Sequence, residues 1–418
     1  MLRPRDLLVN LLSKIMLDIG IGLGLEENSV LAAEEAIKQA KAKLKNSSKI
    51  NLALVFSSGD FSAAGTEKAF RNLLGGIPLI GASGPAIISE KGIFKHGITV
   101  LLLGLPEEAR CATAVTREIT QKKPFNCGKE LSEKLLLGFK NIPRNLGILL
   151  FDHLINEGPE FISGVQENLG KSFPCFGASF SSNLDPARSW LYLNNEVITG
   201  GCAGLLLGGK ITSGLGIKHG WKPLGKPHKI SSAVGNIINS IDDKPAIELY
   251  KDYLDYSEAE LKEQLNKLSV SYPIGVFIPG EEEYLLRNII SVEDRGALVC
   301  QGSIPEGTAI RLMISTQETC LDAAARAIKE ARDSLSGSLL RQSGAKISRF
   351  AIVFSSFSRY NLFRRDIKKE FNLIKKELSG VPVLGIYTHG DLAPLTSGNY
   401  HGQTYFRNQD FSVVIIEG

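Results

Sequence analysis

Apolar runs of strand length alternate along this chain with stretches whose apolar positions step by three and four. Three segments share one grammar. Each opens on an apolar strand that ends in Phe and a short polar run: Leu-Ala-Leu-Val-Phe-Ser-Ser at 52–58, Leu-Gly-Ile-Leu-Leu-Phe-Asp-His at 146–153, and Phe-Ala-Ile-Val-Phe-Ser-Ser at 350–356. Each continues into a helical stretch and then into x-Pro-x-x-Gly, at 77–81, 173–177 and 381–385. Each closes on another apolar strand, at 97–103, 197–207 and 411–416. Phe56 to Gly81 is 25 residues, Phe151 to Gly177 is 26 and Phe354 to Gly385 is 31, so the motif recurs at matched places. In the third segment Phe363, Ile367, Phe371, Ile374 and Leu378 fall on one helical face. In the second, Phe161, Ile162, Val165 and Leu169 do so after Pro159, a favourable first-turn residue. Gly380 and Pro382 stop the third helix. The strands are near-continuous apolar runs, the pattern of strands covered on both faces.

Outside these segments, Asn28 or Ser29 caps a helix running to about Lys45. Residues 221–225 read as a loop and 245–268 as helical. Short strands follow at 273–278, 296–300 and 308–313, then a helix over 320–335. The fold class is α/β (mixed α+β), a two-part protein with internally repeated strand-helix-strand units. The main boundary falls between 240 and 272.

Composition narrows the function. The 48 basic and 44 acidic residues leave a net charge of +4, too near neutral to suggest a nucleic-acid binder. No apolar run reaches the ~18 residues of a membrane helix, so no membrane insertion is expected. Arg3 and Arg5 are followed by Asp6, Lys14 and Asp18, which does not read as a signal peptide. Six cysteines without C-x-x-C give neither a zinc clip nor a redox pair and fit a reduced, cytoplasmic location. The 42 glycines argue for many tight turns. Gly20-Ile-Gly-Leu-Gly24 fails as G-x-G-x-x-G at Leu25, and both G-x-S-x-G candidates fail at their last position, Pro85 and Ser181. No Walker motif or H-x-x-x-H pair is present. The expectation is a non-enzyme; a hydrolase using Ser83 or Ser179 with His153 is the residual enzymatic reading.

In open α/β sheets ligands sit at the carboxyl ends of strands. Those ends carry Ser57-Ser58-Gly59-Asp60, Asp152-His153 and Ser355-Ser356, joined by Ala82-Ser83-Gly84, Ala178-Ser179 and Tyr387-Thr388-His389-Gly390-Asp391. Hydroxyls with exposed backbone N–H groups suit a carboxylate or amide ligand. The candidates are Tyr387, Thr388, His389, Asp391, Ser83, Ser179, Ser57 and Ser355, with Arg287 and Arg359 as carboxylate clamps. The plain alternative is that these residues only make turns, caps and surface. The basic set Arg364, Arg365, Lys368, Lys369, Lys375 and Lys376 reads as a solvated face. His389 and His153 follow strands.

Residues 51–104 resemble the first half of a FIST domain, through Val-Phe-Ser-Ser at 55–58, Pro-Leu-Ile-Gly-Ala-Ser at 78–83 and the strand at 97–103. The stretches 221–228, Gly235-Asn236 and 244–250 resemble the end of that N-terminal part. Residues 292–302, Pro305-Glu306-Gly307, 380–394 and Tyr-Phe-Arg-Asn-Gln at 405–409 resemble the C-terminal part. The resemblance runs over about 16–418 and divides the chain into an extension and first strand (1–27), a FIST N-terminal domain (28–245) and a FIST C-terminal domain (246–418). Ser-Ser-Phe-Ser-Arg-Tyr at 355–360 departs from the Cys-x-Gly-Arg-like pattern of many relatives. The resemblance implies an intracellular sensory protein that binds a small ligand, such as an amino acid, without a cofactor. It would signal to a separate protein partner. Two alternatives come with the family: a haem-binding nitric-oxide sensor, for which His389 and His153 are the candidate haem ligands, and an F-box-type scaffold that binds only protein.

Overall fold

The computed structural model describes residues 16–45, 49–119, 121–152, 158–180, 190–281, 283–336, 347–394 and 404–418. Three related units follow one another. The first comprises β1 (Asp18–Gly24), α1 (Ser29–Lys43), β2 (Leu52–Ser58), α2 (Ala63–Leu74), β3 (Leu79–Gly84), the hairpin β4 (Ile87–Ser89) and β5 (Gly92–Phe94), and β6 (Ile98–Gly104). The second repeats that order as β7 (Ala109–Thr116), α3 (Pro124–Leu136), β8 (Arg144–Asp152), α4 (Gly158–Leu169), β9 (Cys175–Phe180), β10 (Leu191–Leu193), β11 (Glu196–Ile198) and β12 (Cys202–Gly209). The third begins with β13 (Thr212–Lys218) and is interrupted by an insert.

The insert carries β14 (Lys222–Val234), β15 (Ile237–Ile241), β16 (Lys244–Pro245), α5 (Glu248–Tyr253), α6 (Glu258–Ser271), β17 (Ile274–Val276), β18 (Leu285–Arg287), β19 (Ile289–Val292), β20 (Leu298–Cys300) and β21 (Ala309–Ile314). The third unit then resumes with α7 (Gln317–Asp333), β22 (Arg349–Ser356), α8 (Phe357–Phe363), α9 (Ile367–Glu377), β23 (Val383–Thr388), β24 (Gly390–Pro394), β25 (Thr404–Arg407) and β26 (Phe411–Glu417).

Each unit builds the same four-stranded order: first strand, last strand, second, third. The second and third strands are parallel, which requires the helical crossover between them. Each sheet is completed by a hairpin from another unit. β10–β11 extends β3, β24–β25 extends β9, and β4–β5 extends β23, so the three hairpins are exchanged cyclically. Inner faces of all three sheets share one core that includes Phe56, Phe176, Phe180 and Phe354. Phe354 stacks on Phe176 with ring centroids 4.8 Å apart and meets Phe56 edge-on at 5.7 Å. Helices cover the outer faces in separate clusters. Both faces are therefore buried, as the unbroken apolar runs required.

The repeated x-Pro-x-x-Gly has a steric cause. A Cβ on Gly81, Gly177 or Gly385 would overlap the carbonyl oxygen of Val55, Leu149 or Val353 on the neighbouring parallel strand. The proline opens that strand and needs no N–H there, while its carbonyl accepts from Ala53, Gly147 or Ala351 at 2.8–3.0 Å. The Gly20-x-Gly22-x-Gly24 run serves packing as well. A Cβ at these positions would collide with the carbonyls of Ala40, Ala36 and Ala32 on α1. Two strand residues span ~6.7 Å and four helix residues ~6.0 Å, so the glycine and alanine rows stay in step.

Four sequence expectations are corrected. The β8–β9 register places Leu150, not Phe151, at the position of Phe56 and Phe354, because Leu150, Phe56 and Phe354 lie opposite Ala178, Ala82 and Ile386. Residues 197–207 are not one strand but belong to β11 and β12. Residues 222–225 form the start of β14, not a loop, and the 245–268 stretch breaks into α5 and α6. The insert's sheet draws strands from both sides of residue 245, since β15 and β16 pair with each other and β15 with β20.

Candidate functional site

Ser57 and Ser83 lie in the first sheet. The Ser57 hydroxyl shares a 2.9 Å hydrogen bond with the Tyr192 hydroxyl, and Ser83 Oγ donates to the Trp190 carbonyl at 3.2 Å. Ser355 and Tyr387 meet in the third unit, where both hydroxyls donate to the Glu370 carboxylate. Arg359 completes that network. Its Nε and Nη2 donate to Glu370 Oε1 at 2.9 and 2.7 Å, and both side chains are fully buried. Its remaining bonds go to the carbonyls of His219 and Cys320. The guanidinium read as a free clamp is therefore the centre of a closed structural network. Arg287 is also buried, and it donates to the carbonyls of Leu286, Ser303 and Phe406; burial lowers its pKa to about 10. The basic set on α9 and before it is exposed, as its pattern suggested.

Ser179, Thr388, His389 and Asp391 come together where β24 crosses onto β9. The His389 N–H donates to the Ser179 carbonyl at 2.9 Å, and its ring lies 5.3 Å from Phe357. Thr388 Oγ1 donates to Asp391 Oδ1 at 3.0 Å. His153 lies outside the described residues.

Asp391 faces Arg407 across the β24–β25 ladder. Arg407 in turn grips Asp410 through two bonds, Nε to Oδ2 at 3.0 Å and Nη2 to Oδ1 at 2.7 Å. Gln409, with φ +67°, makes the turn that brings residues 407 and 410 together. All three side chains are buried. Burial drives the Asp391 carboxyl well above the usual carboxylate range, and the neighbouring Asp410 adds to it; Thr388, Arg407 and the Asp410 N–H pull back. His219 closes the group from the end of β13. Its Nδ1 accepts the Trp221 N–H at 2.8 Å, which leaves the proton on Nε2. Burial lowers its pKa to about 3 against the opposing pull of Asp410. The Glu283 carboxylate approaches Arg407 Nη2 at 3.7 Å and His219 Nε2 at 3.9 Å without a hydrogen bond to either.

Buried polar atoms without a hydrogen-bond partner among the described residues crowd here. They include Arg407 Nη1, both amide atoms of Asn408, Gln409 Oε1, His219 Nε2, Glu283 Oε2 and Asp391 Oδ2. Each such group costs ~1–3 kcal/mol if left unpaired, so their gathering in one buried place calls for a physical reason. The pseudo-repeat sharpens the point. Asp391 occupies the register position of Ile87 and Leu191, opposite Ile386, Ala82 and Ala178. Asp410 precedes Phe411 as Gly97 precedes Ile98 and Gly201 precedes Cys202. Two units place aliphatic residues and glycines where the third places carboxyls. Sequence reading reached Asp391 but missed Arg407, Asn408, Gln409, Asp410, His219 and Glu283. The signal available was the four-residue polar run 407–410 wedged between two apolar strands, where the other units carry only Lys95-His96-Gly97 and Thr199-Gly200-Gly201.

The chain matches the FIST N domain over residues 51–244 and the FIST C domain over 246–394. It belongs to the FIST family. FIST domains are sensory modules of signal transduction. An uncharacterized Mycobacterium tuberculosis protein is 22% identical over 218 residues, 51% of this chain and 55% of that one. The FIST chain thus spans about half the length of the first curated relatives it matches. An uncharacterized Mycobacterium bovis protein is 22% identical over 397 residues, 92% of this chain and 97% of that one. Among solved structures, cyanuric acid hydrolase from A. caulinodans superposes with a TM-score of 0.40 at 9% identity, covering 96% of this chain and 99% of that chain. That superposition is too loose to carry anything across. Among the described residues, no helix of this FIST protein is long and apolar enough to cross a membrane, and no group of three His, Cys, Asp or Glu could hold a metal ion.

Proposed function

We propose that this FIST protein is a non-enzymatic, cytoplasmic sensor of a small zwitterion of amino-acid type and signals to a separate protein. The carrying observation is the set of unpartnered buried polar atoms at 391, 407–409, 219 and 283. Arg407 Nη1 and Asn408 Nδ2 can donate to a carboxylate, and His219 Nε2–H adds a third donor. Glu283, Gln409 and the Asn408 carbonyl can accept from an ammonium group. Both halves of a zwitterion therefore find complementary partners in one buried place. The polar group joins the last strands of the third unit to its first strand and, through Glu283, to the insert. A ligand that favours one arrangement of insert and unit shifts the population toward it, and that shift is the signal.

The test is a thermal-shift screen of the purified chain against the amino acids, with hemin included. A ligand confined to the folded state adds ~2.7 kcal/mol at 100 times its Kd, enough to move Tm by a few degrees. An amino-acid hit abolished by Arg407→Lys supports the reading. A hemin hit with a Soret band would replace it with the haem sensor. The buried polar neighbours of His389, namely Thr388 and Asp391, speak against that outcome, because a porphyrin face wants an apolar slot. No hit at all would favour a scaffold that binds only protein.

A further inference from the structure

The insert leaves and rejoins the third unit through adjacent strands: Lys222 at the start of β14 pairs with Ile314 at the end of β21. Between the insert and the third unit, beside these two crossings, lies a cleft of about 430 Å³. Trp221 and Ser315, the residues next to the paired ends, both line it. Tyr272, just past α6, lines it, as do Leu362 on α8 and Arg364 beyond that helix. The Trp221 indole is buried, and its Nε1–H has no hydrogen-bond partner among the described residues. The described residues that line the cleft include Arg364 and three serines but neither Asp nor Glu. Val270, Ile314 and Leu362 supply apolar surface.

We propose that this cleft is a second ligand site, for a small organic anion with an apolar body, an aliphatic or aromatic carboxylate. The Trp221 N–H can only donate, so an acceptor that reaches it from the cleft would complete it. The guanidinium of Arg364 favours an anion, and the absence of a carboxylate in the lining leaves that preference unopposed. The core that joins insert to unit is small, built on Trp221, Leu286, Met313, Cys320 and Phe363. A ligand wedged beside it ties the two bodies together. The same short segment carries the effect inward, because the Trp221 N–H holds His219 of the polar group. The cleft site does not depend on the zwitterion reading, since none of the polar-group residues lines it.

The chain has two tryptophans, Trp190 and Trp221, so indole-15N labelling gives two resolvable N–H signals. Trp221→Phe assigns them. The wild-type chain is titrated with octanoate and with benzoate, then with octanol, benzyl alcohol and inorganic phosphate. The expected result is a saturable shift of the Trp221 signal by at least one carboxylate, with Trp190 unmoved. The matching alcohol should bind at least ~10-fold more weakly, as should the carboxylate to Arg364→Ala. The proposal is overturned if neither carboxylate moves Trp221 by about 10 mM, where even a ~1 mM ligand is near saturation. It is equally overturned if both indoles shift together, if phosphate alone matches the carboxylates, or if Arg364→Ala binds as wild type. An amino-acid response that survives while this test fails would leave the polar-group site standing without the second site.

Discussion

Asp391 and Arg407 stand opposite each other on β24 and β25, yet Arg407 gives its paired hydrogen bonds to Asp410, three residues further on. One guanidinium thus lies between two buried carboxyls, and only one of them is gripped. The carboxyl of the other, Asp391, is pushed upward from the usual carboxylate range by burial and by Asp410. That division sets the pH behaviour of the site.

Asp391 and His219 pull stability in opposite directions between about pH 4 and pH 6.5. The Asp391 carboxyl has a raised folded-state pKa. Its contribution is complete below the unfolded value of ~3.9 and is lost as pH rises through the folded value. The His219 pKa is depressed to about 3. Its contribution is complete above the unfolded value of ~6.5 and is lost as pH falls toward 3. Each slope is at most ~1.4 kcal/mol per pH unit, so in the wild type they largely cancel. Urea unfolding at pH 4.5, 5.5 and 6.5 should therefore show Asp391→Asn gaining stability with rising pH. His219→Asn, which keeps an acceptor for the Trp221 N–H, should lose stability with rising pH. Parallel profiles for both variants and the wild type would contradict the assignment.

Gly81, Gly177 and Gly385 should be equally intolerant of a methyl group. Each alanine would press against a carbonyl of the adjacent strand, and the strands share one core, so neither can withdraw. We expect losses of about 3 kcal/mol or more at each site. Gly76→Ala, where a Cβ meets nothing within 4 Å, should stay within ~0.5 kcal/mol. Thermal unfolding of the four variants decides it.

The same glycines show how far the sequence could be read. The three units were legible because each needs this glycine after a strand-opening proline, and both-face burial imposes unbroken apolar runs. The second unit slipped by one residue because Phe151 imitates Phe56. Phe151 points instead to the helical side, where its ring lies 6.1 Å from Phe161. A one-residue slip reverses the faces of a strand, and two adjacent apolar residues give no period to detect it. The hairpin exchange left no local trace, since β4 is only three residues long. The start of β14 was hidden by Pro223 and Gly225, which a strand tolerates here because its register with β21 breaks between Leu224 and His228. At the site, Asp391 was visible in a loop-like motif. Arg407 to Asp410 carried no site reading, because four polar residues before a strand look like an exposed turn and only the fold shows that this turn is buried.

Tyr387 separates structure from binding. Its hydroxyl joins Ser355 and Arg359 on Glu370. Tyr387→Phe should lower stability by about 1 kcal/mol, and the loss of one partner in a buried ion pair, as in Glu370→Gln, should cost about 3–5 kcal/mol. An amino-acid thermal shift should persist in Tyr387→Phe. Its disappearance there, with the fold intact by circular dichroism, would move the ligand into the Glu370 network.

Asn408 gives the sharpest test of the site. Its side chain is fully buried, and neither amide atom has a partner among the described residues. A residue kept for the fold alone would lose contacts on truncation and destabilise the chain. A residue kept for a ligand imposes a desolvation cost on the ligand-free protein, which alanine removes. We expect Asn408→Ala to match the wild type or exceed its stability by ~1 kcal/mol without ligand, and to lose the amino-acid-induced rise in Tm. A clear drop in ligand-free stability with the thermal response intact would assign Asn408 to the architecture and remove it from the proposed site, because its amide is offered there as both donor and acceptor.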